Sequence, residues 1–297
     1  MKYHKLLVLS MLSAALALTA CSDEVAPAKR KNYAVQVKED IVKTDYQAPV
    51  LANVVGHKNA DLIIYGSRLL NETKRLLPEN VGASMNCNSC HIASGKEEKG
   101  AHYLNSFYAY PKKMPRAGKV IDLKARINGC FQRSMNGKPL DPNSKEMQAM
   151  IAYMEWLSEG LPKGAKIKSD IGGQINTKLV PDTIRGEKLY SQHCAACHGN
   201  NGEGLNDSRG NIVFPPLWGD HSFNIGAGMA RTYKAAAFIR DNMPMSVQKH
   251  GGWGQGAVLT DQDAVDIAEY FTHQPRPDFA GKVNDWPNGN KPKDARY

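Results

Sequence analysis

No stretch of this 297-residue chain is long and apolar enough to cross a bilayer. A spanning helix needs about 20 apolar residues, and the longest run, Leu6 to Ala20, stops short of that. Acidic side chains are in short supply: 29 Asp+Glu face 38 Lys+Arg, a formal net charge of +9. An anionic ligand or partner fits that excess, although charge alone does not separate nucleic acid from phosphate, sulfur oxyanions or lipid headgroups. With 42% hydrophobic and 23% charged residues, the composition excludes a mostly disordered or fibrous chain. The length suits about two domains. Cysteine is scarce, with six in all. Their spacing also excludes the three disulfides that an exported chain would otherwise suggest.

The amino terminus comes first. Lys2 and Lys5 precede the apolar run, which ends Leu18-Thr19-Ala20-Cys21. A basic start, a short apolar core and small residues before a cleavage point are the marks of a secretory signal. The last four residues look like a bacterial lipobox, whose cysteine receives lipid after cleavage. The alternative is an ordinary signal cut near Ala20. On the lipobox reading the mature protein is a periplasmic lipoprotein held to the membrane through Cys21. Either way it works in an oxidising space.

Four other cysteines fall into two C-x-x-C-H motifs: Cys87-Asn88-Ser89-Cys90-His91 and Cys194-Ala195-Ala196-Cys197-His198. This is the attachment pattern for c-type haem. Two thiols three residues apart share one helical face and add to the two vinyl groups. The next residue, His, then aims its imidazole at the iron. A zinc site needs four ligands close together, and these motifs stand 107 residues apart. The implied cofactors are two covalently bound haem c groups. Cys130 is left without a disulfide partner.

The rest of the chain fits a mostly α protein of two class I cytochrome c-like haem domains. Residues 59–72 suit a first helix. Met147, Met150, Ile151, Met154 and Leu157 form a stripe at spacings of three and four, which predicts a helix over 144–158. Glycines and prolines between 160 and 183 mark a linker. Thr183 precedes a short helix, Gly186 to His193, that leads into the second motif, and Thr260-Asp261-Gln262-Asp263 caps a closing helix. The expected layout is a signal at 1–20, a flexible tether at 21–45 and a catalytic haem domain at 46–163. A linker at 164–182, an electron-transfer haem domain at 183–276 and an extended tail at 277–297 complete it.

Each iron needs a sixth ligand or stays open. In the second domain Met243, in the Asn-Met-Pro setting 45 residues after His198, is the choice; Met245 and Met229 are the runners-up. Histidine/methionine ligation raises the reduction potential, which suits electron transfer. In the first domain Cys130 lies 39 residues after His91. It fits a haem ligand, a reactive thiol or both, with Met114, Met135 and His102 as alternative ligands. From Pro111 to Lys138 eight basic residues meet one acid, Asp122. If 122–136 is helical, Arg126, Cys130 and Ser134 stack at four-residue intervals with Arg133 beside them. Cations near a cysteine favour its thiolate and attract small dianions. Because the basic cluster surrounds a haem-domain cysteine, nucleic acid is not an expected partner.

The stretch Arg-Ile-Asn-Gly-Cys-Phe-Gln-Arg-Ser-Met-Asn-Gly over 126–137, the two haem motifs and Asp285-Trp286-Pro287 resemble the dihaem c-type thiosulfate dehydrogenase / tetrathionate reductase family. That resemblance implies interconversion of thiosulfate and tetrathionate, with a small cytochrome c as redox partner. It implies His91/Cys130 ligation of haem one and His198/Met243 ligation of haem two. It also implies substrate near Cys130, with Arg126 and Ser134 as neighbours; the charges of Arg126, Arg133 and Arg116 would offset the repulsion between dianions and a thiolate. Some members carry a lysine before the methionine; here Asn242 stands there. Two rivals stay open at this point: a Sox-type cytochrome subunit that conjugates thiosulfate to a carrier protein, and a passive dihaem electron carrier.

Overall fold

The computed structural model describes residues 32–37, 40–162, 165–167, 175–245, 256 and 258–297. The signal at 1–20, Cys21 and the start of the tether lie outside the described residues. Two short strands open the described chain, β1 (Asn32–Val37) and β2 (Asp40–Gln47). The first haem domain follows with α1 (Ala60–Asn71), α2 (Thr73–Leu76), α3 (Ile92–Gly95) and α4 (Ser106–Ala109). It continues with the ribbon β3 (Lys112–Met114) and β4 (Lys119–Ile121), then α5 (Leu123–Arg133) and α6 (Lys145–Leu157). β5 (Lys166–Ile167) leads to the second domain, where α7 (Thr183–His193) runs into α8 (Ala195–His198). The ribbon β6 (Leu205–Asn206) and β7 (Ile212–Phe214), then α9 (Thr232–Asn242) and α10 (Asp261–Thr272), complete the elements used here.

The two domains are built on the same helix crossing. α1 packs on α6 in the first and α7 on α10 in the second. Each crossing is set by a glycine. A β-carbon on Gly66 would collide with the carbonyl of Ala149 and crowd Tyr153. One on Gly186 would collide with the carbonyl of Asp266 and crowd Tyr270. In both cases the two obstructing residues sit one turn apart on the closing helix, so the backbones meet directly.

Within the expected tether, residues 32–37 and 40–45 lie in β-strands. β2, β1 and β5 form a three-stranded antiparallel sheet in that order. Tyr33 and Val35 alternate inward with Tyr46 and Ile167 into a small core. The Tyr33 hydroxyl donates to the Lys96 carbonyl at 2.9 Å, and the Tyr46 hydroxyl to that of Leu157. The period-two burial of two residues outweighs the mixed charge around them. Part of the expected linker therefore supplies a strand.

Nor are the haem domains separate cores. One hydrophobic cluster runs from Val54 through α6 and on to Phe271. Ser84 N–H donates to the His221 carbonyl at 2.8 Å, and Asn224 Nδ2 to that of Gln132 at 2.8 Å. The carboxy-terminal tail closes the same seam. Trp286 is 7% exposed, and its N–H donates to the Arg116 carbonyl at 2.8 Å.

Candidate functional site

The first haem motif is fastened from both sides. Thr73 Oγ1 accepts from Cys87 N–H at 2.9 Å, and Asn86 Oδ1 accepts from Lys74 N–H at 3.0 Å. After His91 the chain turns through two left-handed residues, Ala93 and Ser94, at φ 54° and 57°. Such backbone persists only where its surroundings over-determine it. Here Asn71 Nδ2 donates to Ser94 Oγ, Ser94 N–H to Asn88 Oδ1, and the Tyr153 hydroxyl to the Ser94 carbonyl, at 3.0, 3.0 and 2.9 Å. His91 Nδ1 donates to the Ala101 carbonyl, and its ring stacks on Tyr103 at 4.1 Å between centroids. That leaves Nε2 free to ligate. Burial keeps this imidazole neutral, with its pKa lowered to about 4, and neutral is the form that binds a metal. In the second motif His198 Nδ1 donates to the Pro215 carbonyl at 2.9 Å, and burial again lowers its pKa.

Cys87, Cys90 and His91 line one side of a cavity with about 1050 Å³ of empty volume, its open mouth included. Cys130, Arg126 and Ser134 line it too, with Phe131, Met135, Met150 and Met154 among its apolar walls. This donor set fits a c-type haem: two free thiols and an imidazole with its Nε2 available, in one mostly apolar cavity. His102 and Met135 also line the cavity; Met114, on β3, does not.

α5 delivers the sulfur. Asp122 caps it, its carboxylate accepting from Ala125 N–H at 2.7 Å. Leu123, Ile127 and Phe131 turn inward, which sets Arg126 and Cys130 side by side. Arg126 Nη1 donates to Cys130 Sγ at 2.8 Å. The sulfur, then the Tyr110 phenol, hold the guanidinium protonated beyond its usual range against the cost of burial. Tyr110 and Ser106 were not legible as site residues, because the four-residue helix α4 that Ser106 opens and Tyr110 follows is too short to leave a periodic signal. The structure brings both to the cavity.

Arg116 and Arg133 belong elsewhere. Neither lines the cavity. Arg133 grips Asp285 with both terminal nitrogens, at 2.8 and 2.7 Å, and lies 4.3 Å over the Phe279 ring. Arg116 donates to the Gly226 carbonyl at 2.5 Å, stands 4.0 Å from Asp285 and lies 5.0 Å over Trp286. The sequence reading counted their charges as facing substrate. The tail's buried carboxylate, 4% exposed, engages both instead.

In the second domain Met243 caps α9, its N–H donating to the Ile239 carbonyl at 2.8 Å. It packs against the shared core, as does Met229. Residues 246–255 lie outside the described residues.

Residues 79–163 match the SoxA/TsdA cytochrome c domain, and residues 184–275 match cytochrome c. A thiosulfate dehydrogenase from Psychrobacter arcticus is 48% identical over 78% of this chain and 68% of its own length. One from Allochromatium vinosum is 38% identical over 75% of this chain and 81% of its own. The chain belongs to the thiosulfate dehydrogenase family. A solved structure of thiosulfate dehydrogenase (TsdBA) from Marichromatium purpuratum, in its as-isolated form, superposes with a TM-score of 0.68 at 34% identity over 78% of this chain. The present chain spans about half the length of that one. As in this family, the two cytochrome c domains indicate two c-type haems. No helix among the described residues is long and apolar enough to cross a membrane.

Proposed function

We propose that the protein is a dihaem oxidoreductase that interconverts thiosulfate and tetrathionate at Cys130. The observation that carries this reading is the 2.8 Å hydrogen bond from Arg126 to the Cys130 sulfur, within the cavity that holds the first haem motif. On this reading Cys87, Cys90, Cys194 and Cys197 attach the haems. His91 and Cys130 would hold the first iron, and His198 and Met243 the second. When bound, each haem supplies a site for one electron, so the pair matches the two electrons exchanged when two thiosulfates join.

The chain's residues account for the sulfur chemistry. In the reductive direction the Cys130 thiolate attacks an inner sulfur of tetrathionate, breaks the central S–S bond and releases one thiosulfate. This follows the logic of thiol–disulfide exchange. Cys130 keeps the other half as Cys–S–S–SO3⁻. Two electrons then break the new S–S bond, returning thiolate and a second thiosulfate. Oxidation is the reverse. Arg126 offers the thiolate a charge-assisted hydrogen bond whenever it is not on iron, and offsets the repulsion between the sulfur and an incoming dianion. Ser134 and Tyr110 add hydroxyls at the same wall.

The test is purified holoprotein with thiosulfate and ferricyanide and no carrier protein. Tetrathionate is the expected product. Its absence would return the protein to carrier conjugation. Cys130→Ala should lose turnover by on the order of 10³-fold or more, as when a nucleophile is removed, with both haems retained. An unchanged rate would leave a passive electron carrier. On the same reading the export signal and Cys21 place the enzyme in the periplasm on a lipid anchor, passing electrons to a small cytochrome c. Labelled lipid incorporation lost in Cys21→Ala checks the anchor.

A further inference from the structure

Asn242 is 0% exposed and spans the two haem domains. Its Nδ2 donates to the Lys99 carbonyl in the first domain at 3.0 Å and to the Phe238 carbonyl of α9 at 2.9 Å. Both N–H groups end on carbonyl oxygens, so the orientation of the amide is set: the flipped form would face oxygen to oxygen. Its Oδ1 is buried without a hydrogen-bond partner. An orphaned buried acceptor is costly and calls for a reason.

The reason lies in what each end holds. Asn242 is the last residue of α9, and Met243 follows it directly. Lys99 belongs to the loop that carries the acceptor for His91. In that loop Gly100 N–H donates to the Glu97 carbonyl at 3.0 Å, and the Gly100 carbonyl accepts from Ile92 N–H at 3.1 Å. Ala101, the next residue, receives the His91 Nδ1 proton on its carbonyl and has φ 55°. A left-handed alanine needs outside support, and one external tie on this loop is the Asn242 amide.

We propose that Asn242 is a positioning residue that fastens the backbone of the first haem's histidine loop to the backbone of the second haem's methionine, so that the two sites are tuned together. This rests on the ligand assignment given above. The Nδ1–carbonyl bond of a ligating histidine sets ring orientation and basicity, and so the potential of the metal. Releasing Lys99 slackens the Ala101 carbonyl and weakens that bond. Releasing the end of α9 frees Met243.

The experiment is a spectroelectrochemical titration of the holoenzyme that resolves both haems, for Asn242→Ala, Asn242→Asp and Met243→Ala. Asn242→Ala should shift the midpoint of both haems in one sample. Asn242→Asp keeps the shape but has at most one donor, an acid O–H, where the amide has two, so it cannot hold Lys99 and Phe238 together and should shift both haems. Met243→Ala should move the second haem alone. A shift confined to one haem in Asn242→Ala, or wild-type potentials in Asn242→Asp, overturns the coupling. An unmoved second haem in Met243→Ala overturns the ligand assignment instead. If Asn242→Ala loses haem, Asn242→Ser takes its place. Amide exchange over residues 97–103 should rise at least 5-fold in every variant that loses the tie. Wild-type exchange there would also sink the proposal.

Discussion

The two haem domains share a frame and differ in what faces the cavity. Each crosses its first and last helices at a glycine, and each hands its histidine's Nδ1 proton to a backbone carbonyl. In the first, α5 then presents a sulfur and an arginine to an open cavity. In the second, the aromatic set Tyr190, Trp218 and Tyr270 packs tightly, with centroids 5.0 to 5.8 Å apart. A sixth-ligand candidate there is a thioether that carries no charge. On the proposed reading the same scaffold serves sulfur chemistry in one copy and electron passage in the other. What separates them is one helix face.

That face is where the comparison breaks most sharply. Arg126→Ala should lower kcat/KM for thiosulfate by about 10²- to 10³-fold, the usual cost of removing one preorganised charged donor. Arg133→Ala should change kcat/KM little, because its guanidinium is engaged by Asp285 away from the cavity. It should cost stability instead. Removing one partner of a buried ion pair costs about 3–5 kcal/mol, and a carboxylate at 4% exposure left with the more distant Arg116 belongs near the lower end. Steady-state kinetics and urea unfolding on both variants separate the roles. Equal kinetic losses would put Arg133 back at the substrate.

How far the sequence foretold this follows from the range of each signal. The stripe over 144–158 and the capping residues at 260–263 predict helices that the structure places at Lys145–Leu157 and Asp261–Thr272. Those signals are local. The Arg126–Cys130 contact was legible for the same reason, since four residues make one helical turn. Asp285 carries no such mark. It meets Arg133 across 152 positions, and only folding shows that the tail's carboxylate takes two of the cations counted around Cys130. Asn242 and Lys99, 143 positions apart, are hidden in the same way. The antiparallel strands at 32–37 and 40–47 had a weak cue, Tyr33 and Val35 in alternation, and the surrounding charges masked it.

The shared crossing can be tested by breaking it in each copy. Gly66→Ala and Gly186→Ala both put a methyl against a helix carbonyl. Overpacking of this kind costs about 1–3 kcal/mol. Each substitution should loosen its own domain first, seen as earlier loss of the matching haem spectrum during urea unfolding. Substitutions whose effects appear in the opposite domain would mean that the continuous core, not the local crossing, governs stability.

The smallest difference is at the amino ends of the closing helices. Ser144 caps α6, its hydroxyl accepting from Met147 N–H at 3.2 Å. Thr260 caps α10, accepting from Asp263 N–H at 3.1 Å, while the Asp263 carboxylate returns the bond to Thr260 N–H at 3.0 Å. Replacing either cap by alanine should cost about 1 kcal/mol near neutral pH. The two should part as the solution is acidified. Burial pushes the Asp263 carboxyl up, but the bonds from Thr260 and the Arg185 pair outweigh it and hold its pKa below the ordinary 3.8. A carboxylate with a depressed folded pKa stabilises above its unfolded pKa and loses that contribution as pH falls through the folded one. Met147 does not titrate, so Ser144→Ala should cost the same at pH 7 and pH 3. For Thr260→Ala the gap from wild type should narrow below about pH 4, because protonating Asp263 takes from the wild type the bond that the Thr260 hydroxyl donates to its carboxylate at 2.6 Å, which the variant already lacks. Urea midpoints for the two variants at both pH values decide it, and parallel behaviour would remove Asp263 from the cap.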